Sequence, residues 1–139
     1  MDKAPLLKPG LYRAEGTAAV PSRPALLGGV CACGYVFFPL QHYGCEKCGG
    51  VSIEPKVLSG AGHLLASARV HLHHGKGREA PFTVGAIRLD DGPIVRTLIE
   101  IDEAGLQPGA RMVTTLAPVQ DVEGAGCSDL RFVPERAQS

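Results

Sequence analysis

Cys31-Ala32-Cys33-Gly34-Tyr35-Val36-Phe37-Phe38-Pro39-Leu40 runs through Gln41-His42-Tyr43-Gly44 into Cys45-Glu46-Lys47-Cys48-Gly49-Gly50. Four thiols in two close pairs can surround one tetrahedral zinc ion, with Cys31, Cys33, Cys45 and Cys48 as ligands. Residues 34–44 between the pairs are long enough for a short hairpin that brings the chain back to the metal. A glycine follows each second cysteine, where the backbone must turn tightly beneath a ligated sulfur. The first step holds one residue between cysteines instead of the usual two. Its sulfurs reach a common ion only if the chain bends there, and a strained or weakened site is one reading of that step. A catalytic zinc keeps one position open for water, and four thiolates leave none, so the expected ion is structural.

Downstream of the cysteines the pattern changes to period two. Val51, Ile53 and Val57 alternate with Ser52, Glu54 and Lys56, and apolar, β-branched stretches follow at 62–72, 82–89, 94–101, 111–119 and 130–133. They are separated by Ser59-Gly60, by His74-Gly75-Lys76-Gly77, by Asp90-Asp91-Gly92-Pro93 and by Gln107-Pro108-Gly109. Alternation bounded by turn formers predicts five or six short antiparallel strands, and Asp-Gly between two of them is a hairpin signal. Five strands in about 80 residues fit a small closed barrel, for which the five-stranded OB-fold is the expected form. Upstream, residues 1–29 carry Pro5, Pro9, Pro21 and Pro24 among four glycines. That density breaks any long helix and predicts an extended or irregular arm, with one short turn near Leu11–Ala14. The fold class expected is therefore mainly β, in three parts: an N-terminal arm over 1–29, a rubredoxin-like zinc ribbon over 30–50 and an OB-fold barrel over 51–136.

Composition narrows the function. The chain has 139 residues, with 14 basic and 14 acidic side chains and a formal net charge of zero. A dedicated nucleic-acid binder shows a basic excess, so nucleic acid is disfavoured as a partner. No apolar run is long enough to span a membrane, and Met1-Asp2-Lys3-Ala4-Pro5 does not begin a leader peptide; a cytoplasmic chain is expected. In that reducing compartment cysteines serve as metal ligands or free thiols. Cys127 stands apart from the cluster and is expected as a small buried or loop residue.

Other residues could carry chemistry. His71 and His73 share a strand face, with His74 beside them, and could bind a metal, but no third ligand follows at useful spacing, and a polar strand end entering a loop is the preferred reading. His42 reads as a surface residue. Lys76 and Arg78, with Arg69, form a small basic patch on a glycine-rich turn too short for a phosphate loop. Asp90 and Asp91 read as turn formers. No serine lies in a Gly-x-Ser-x-Gly elbow, and no nucleophile–base pair is visible. Tyr35, Phe37, Phe38 and Tyr43 are four of the seven Phe and Tyr residues, all in the cysteine segment. A metal knuckle is too small to make its own core, so some of these rings are expected to pack beneath it and others to face outward; Phe37, Phe38, Leu40 and Tyr43 offer a hydrophobic contact site on the expected hairpin.

The order of parts carries a resemblance. Cys33-Gly34-Tyr35-Val36-Phe37-Phe38-Pro39, then Cys45-x-x-Cys48-Gly49, then Leu58-Ser59-Gly60-x-Gly62 resembles a family of small proteins that join a rubredoxin-like zinc ribbon to an OB-fold. That family was long catalogued as a domain of unknown function and is associated with acyl-CoA chemistry. The resemblance covers residues 26–135. It implies a zinc-containing, non-catalytic accessory subunit of a thiolase-like complex that makes or breaks a carbon–carbon bond in a 3-oxoacyl-CoA, with degradation of an aromatic acid as one setting. It also implies a catalytic partner subunit that supplies the reactive groups, and a CoA thioester held at or near the interface. Cys31, Cys33, Cys45 and Cys48 match the family's zinc ligands. The family's N-terminal helix has no match in the proline-rich residues 1–29. The rival readings are a nucleic-acid-binding ribbon-and-barrel protein and a free-standing acyl-CoA binder or hydrolase.

Overall fold

The computed structural model describes residues 5–70, 82–100, 106–121 and 123–135. Every regular element among them is a strand. The arm is more ordered than its prolines and glycines suggest. It contributes β1 (Tyr12–Arg13) and most of β2 (Ala25–Cys31), and β2 is the centre of a four-stranded sheet. One edge of β2 pairs with β1 at Leu26 and then with β3 (Val36–Phe37) at Gly29 and Val30. Its other edge pairs with β4 (Ile53–Leu58) from Leu26 through Cys31. So β4, expected at the head of the barrel segment, is a strand of the ribbon sheet. Gly28 and Gly29 are tolerated inside β2 because neighbours crowd it on both faces. A Cβ at Gly28 would collide with the Phe37 carbonyl and Leu58, and one at Gly29 with the Phe37 ring and Leu40.

The remaining strands close the expected barrel. β5 (Ala61–Val70), β6 (Phe82–Leu89) and β7 (Ile94–Ile99) are consecutive antiparallel neighbours. The turn between β6 and β7 is the Asp90-Asp91-Gly92-Pro93 segment, with Gly92 at φ +121°. β8 (Arg111–Gln120) and β9 (Gly126–Pro134) form a long antiparallel pair. β9 then meets β7 in parallel at Ile99↔Phe132, and β8 closes on β5 at Ala61↔Val113. The order β5-β6-β7-β9-β8 is that of a five-stranded Greek-key OB barrel. A register shift between Leu64 and Ala66 bends β5 so that it can pair with β6 along its length and with β8 at its start.

Strand alternation sets the core. In β6 the buried residues are Thr83, Gly85, Ile87 and Leu89, every second position. With Leu64, Val95, Ile99, Met112, Leu130 and Phe132 they fill the barrel, and Tyr12, Leu26 and Leu58 of the ribbon sheet join the same cluster. A smaller cluster forms under the cysteines from Cys31, Phe37, Cys45 and Ile53, with Tyr35 and Leu40 packed against it.

Polar contacts fasten the arm to the barrel. Leu7 donates its amide to Ser128 O, and Ser128 returns its own to Pro5 O, so the arm runs alongside β9. The Thr114 hydroxyl donates to Pro24 O at 2.6 Å, and Arg23 donates to Thr114 O. At the junction of the two sheets, the Ser59 amide donates to Asp91 Oδ1 and the Ser59 hydroxyl meets that of Thr17.

Candidate metal centre and the cleft beside it

The four cysteines of the two pairs come together at the far end of the ribbon sheet. Cys31 ends β2, and Cys33 lies two residues on, after a turn closed by the Gly34 amide donating to Cys31 O. This is the bend that the one-residue spacing demands. Cys45 and Cys48 lie on the second knuckle, where the Gly49 amide donates to Cys45 O and the Cys45 amide to Gly50 O. Gly34 (φ +97°) and Gly49 (φ +79°) occupy the left-handed region that follows each pair, which other residues adopt only with strain.

The sulfurs lie within 4.8 Å of one another. Cys31 Sγ is 3.6 Å from Cys48 Sγ, and Cys33 Sγ is 3.7 Å from Cys45 Sγ. Thiolates about 2.3 Å from one tetrahedral ion have S···S edges of about 3.8 Å. The Lys47 amide points at Cys45 Sγ and the Gly50 amide at Cys48 Sγ, each at 3.3 Å, donors that suit a thiolate. Cys31 and Cys45 are buried, while Cys33 and Cys48 are exposed. The donor set thus fits a zinc-type ion, which would supply a cross-link between the two knuckles.

As free thiols the cysteines are unequal. The Cys33 amide favours the Cys31 thiolate, but burial and the three neighbouring sulfurs outweigh it and push that thiol up to about 12. Burial also works against the Cys45 thiolate, yet the amides of Cys48 and Lys47 and the thiols of Cys31 and Cys33 hold it down to about 7. Four crowded thiols cannot all ionise unaided, and a divalent cation removes that conflict.

The aromatic segment between the knuckles divides. Phe37 is buried under the cysteines, and Leu40 is half-buried beside it. Phe38 is half-buried against the barrel core. Only Tyr43 projects fully, 94% exposed, on a loop clamped by the Gln41 side chain, which accepts from the Tyr43 and Gly44 amides and donates to Gly44 O. The expected contact site of four apolar side chains is reduced to this one, because a ribbon this small uses the others to build its own floor.

His42 is exposed, as expected of a surface residue. His71, His73, His74, Lys76 and Arg78 lie outside the described residues. Arg69 donates to Thr83 Oγ1. Asp91 caps the Ser59 amide, while Asp90 forms a two-pronged pair with Arg111 at 2.7 Å. Cys127 is buried in β9, away from the cluster. Among the described residues no hydroxyl or thiol is hydrogen-bonded to a histidine.

A second site had no signal in the sequence. A cleft of about 410 Å³ opens where the arm meets the barrel. At its wall Tyr12 donates to Asp129 Oδ1 at 2.8 Å, and Arg131 donates to Asp129 Oδ2 at 3.0 Å. Burial and the Asp129 carboxylate raise the Tyr12 phenol to about 12, against the opposing Lys8 amide. Residues from the arm, ribbon and three barrel strands meet here, far apart in the chain and without a shared spacing.

A cysteine cluster on a small β-sheet joined to an OB barrel defines the structural class. The solved Ltp2-ChsH2(DUF35) aldolase has a chain with this fold: it aligns over 79% of this protein and 84% of that chain, with a TM-score of 0.61 and 20% sequence identity. At that identity the likeness is one of fold. No protein-family model and no curated protein sequence matches the chain.

Proposed function

We propose that this protein is a zinc-containing, non-catalytic accessory subunit of a complex that makes or breaks a carbon–carbon bond in a 3-oxoacyl-CoA, with a thiolase-like catalytic subunit as its cytoplasmic partner. The observation that carries the reading is the likeness in fold, through most of both chains, to a component of a complex named as an aldolase with a DUF35 part. The chemistry of the site supports it. Four cysteines can close a metal off from substrate, and no nucleophile–base pair is formed among the described residues, which fits a chain whose reacting groups come from a partner. Zinc at Cys31, Cys33, Cys45 and Cys48 would hold the ribbon rigid and keep Tyr43 displayed as an aromatic anchor for that partner.

Co-expression with thiolase-type subunits encoded beside this gene is the test. The expected outcome is a heteromer that co-elutes on size exclusion, contains about one zinc per copy of this chain, and turns over a 3-oxoacyl-CoA only when the partner's own cysteine is intact. A chain that stays monomeric beside every such partner, or that instead binds oligonucleotides with a steep salt dependence, overturns the proposal.

A further inference from the structure

The cleft beside the arm has a composition of its own. β7 and β9 register at a single pair, Ile99↔Phe132, and the cleft lies between them on the side toward Val95 and Asp129. Its walls are largely apolar: Leu26 and Phe38 from the ribbon, Val84 from β6, and Leu98 and Leu130 from β7 and β9. Val84 and Leu98 are direct cross-strand partners. The polar groups in the wall are already satisfied. Tyr12 is spent on Asp129, and Asp129 is balanced by Arg131. Two cations, Lys8 and Arg96, also line the cleft; both are exposed, and among the described residues neither side chain has a hydrogen bond or ion pair.

This arrangement selects its ligand. An apolar trough of this size, with few polar groups, is typical of small-molecule sites. The second and third strands of an OB barrel, here β6 and β7, form the face on which such folds commonly bind ligands. A nucleic acid would need stacking platforms along a positive groove, whereas the wall here is mostly aliphatic. Two unpaired cations above an aliphatic wall favour a negative head on an apolar tail. We infer that the cleft between the arm, Phe38 and strands β6, β7 and β9 is a binding site for an anionic amphiphile, a chain of medium length whose tail lies along Val84 and Leu98 and whose acidic head sits between Lys8 and Arg96. The head that fits is a carboxylate carried directly on the chain: a thioester is uncharged, and the phosphates of a CoA ester lie a pantetheine arm away from the acyl tail, whereas Arg96 and Leu98 are two residues apart on one strand. The inference does not depend on the partner complex, because it is read on this chain alone.

The test is titration of the full chain, followed by calorimetry and by methyl NMR. Decanoate, decanoyl-CoA, decanol and decyltrimethylammonium serve as probes, each kept below its micelle concentration. The expected result is one-to-one binding of an anion, with decanol weaker and the ammonium weakest, and with shifts centred on the methyl groups of Val84, Leu98 and Leu130. Decanoate is expected to bind more tightly than decanoyl-CoA, and the reverse order overturns the inference. Arg96→Glu is expected to weaken the anion at least about threefold and to improve the ammonium. Val84→Trp, which fills the trough from an outward-facing strand position, is expected to weaken every probe at least about tenfold. Retained barrel signals in each variant show that folding is intact. No binding by any anion, shifts confined to other regions, or equal affinity for decanoate and decyltrimethylammonium overturns the inference.

Discussion

The two halves of this protein solve the same problem with different means. The barrel buries a full set of large side chains, Leu64, Ile87, Leu89, Val95, Ile99, Met112, Leu130 and Phe132, and closes its own hydrogen-bond ladder. The tip of the ribbon buries Phe37 and Ile53, and the other two members of its core are Cys31 and Cys45. A core half of whose members are cysteine thiols has too little apolar area to hold by burial alone. The contrast is graded along β2 and β4. Leu26 and Leu58 belong to the barrel's core, while Cys31 and Ile53, at the other ends of the same strands, belong to the ribbon's. The lesson is that the ribbon sheet is rooted in one core and tipped by a four-cysteine cluster that can hold a metal ion.

Metal removal should separate the two halves most sharply. Structural zinc sites contribute roughly 10 kcal/mol or more to the folding of small modules. Chelation, or Cys45→Ser, is expected to abolish metal content and to open the amides of residues 31–53 to hydrogen exchange, while those of Ile87 and Met112 stay protected. Uniform loss of protection would mean that the two halves form one cooperative unit. The second largest effect should come from the barrel side. Phe132 is fully buried, and Phe132→Ala is expected to cost about 3–5 kcal/mol in denaturant unfolding, lowering the stability of the whole chain, ribbon included.

Tyr12 joins the halves, and its effect should be smaller. Tyr12→Phe removes the bond to Asp129 and is expected to cost about 1–2 kcal/mol, since Asp129 keeps Arg131. The same bond gives a pH signature. The folded protein favours the neutral phenol up to about 12, whereas the unfolded chain ionises near 10. The stabilisation is therefore whole below about pH 10 and is lost as pH rises toward 12; a Tyr12→Phe variant should lack that alkaline slope. The smallest effect should lie on the surface. The Arg111 guanidinium holds the Asp90 carboxyl below its ordinary range, but both side chains are more than a third exposed. Asp90→Asn is expected to cost less than about 1 kcal/mol, and less still in high salt. What Asp90 contributes is present above the ordinary carboxylate range and lost as pH falls below it.

The barrel was largely legible in the sequence because its signals are local. Alternation in 82–89 and 94–101 and the Asp-Gly turn between them predict the β6–β7 hairpin, whose strands run over Phe82–Leu89 and Ile94–Ile99. The pairing of cysteines and their following glycines predicts which four thiols meet, and the turn at Ala32–Gly34 provides the bend that the short first step requires. The arm was legible only in part. Its prolines and glycines exclude a long helix, but they do not show that Gly28 and Gly29 sit in a paired strand flanked so closely by Phe37, Leu40 and Leu58 that a side chain would not fit. Crowding by residues remote in the chain leaves no local trace. The aromatic hairpin is legible only in outline: a small knuckle must cover itself with some of its apolar side chains, but that these are Phe37 and Leu40, with Tyr43 left outside, is decided by the fold.

By itself, then, the sequence determined what near neighbours can encode: the four-cysteine cluster, the turn positions, the strands of a closed β barrel and the neutral charge that disfavours nucleic acid. Tertiary structure alone decided which sheet Ile53–Leu58 joins, that the arm lies along β9, and that Lys8, Tyr12, Phe38, Arg96 and Asp129 surround one cleft. Those outcomes depend on pairing between residues tens of positions apart, where the free energy comes from shared burial and not from any pattern along the chain.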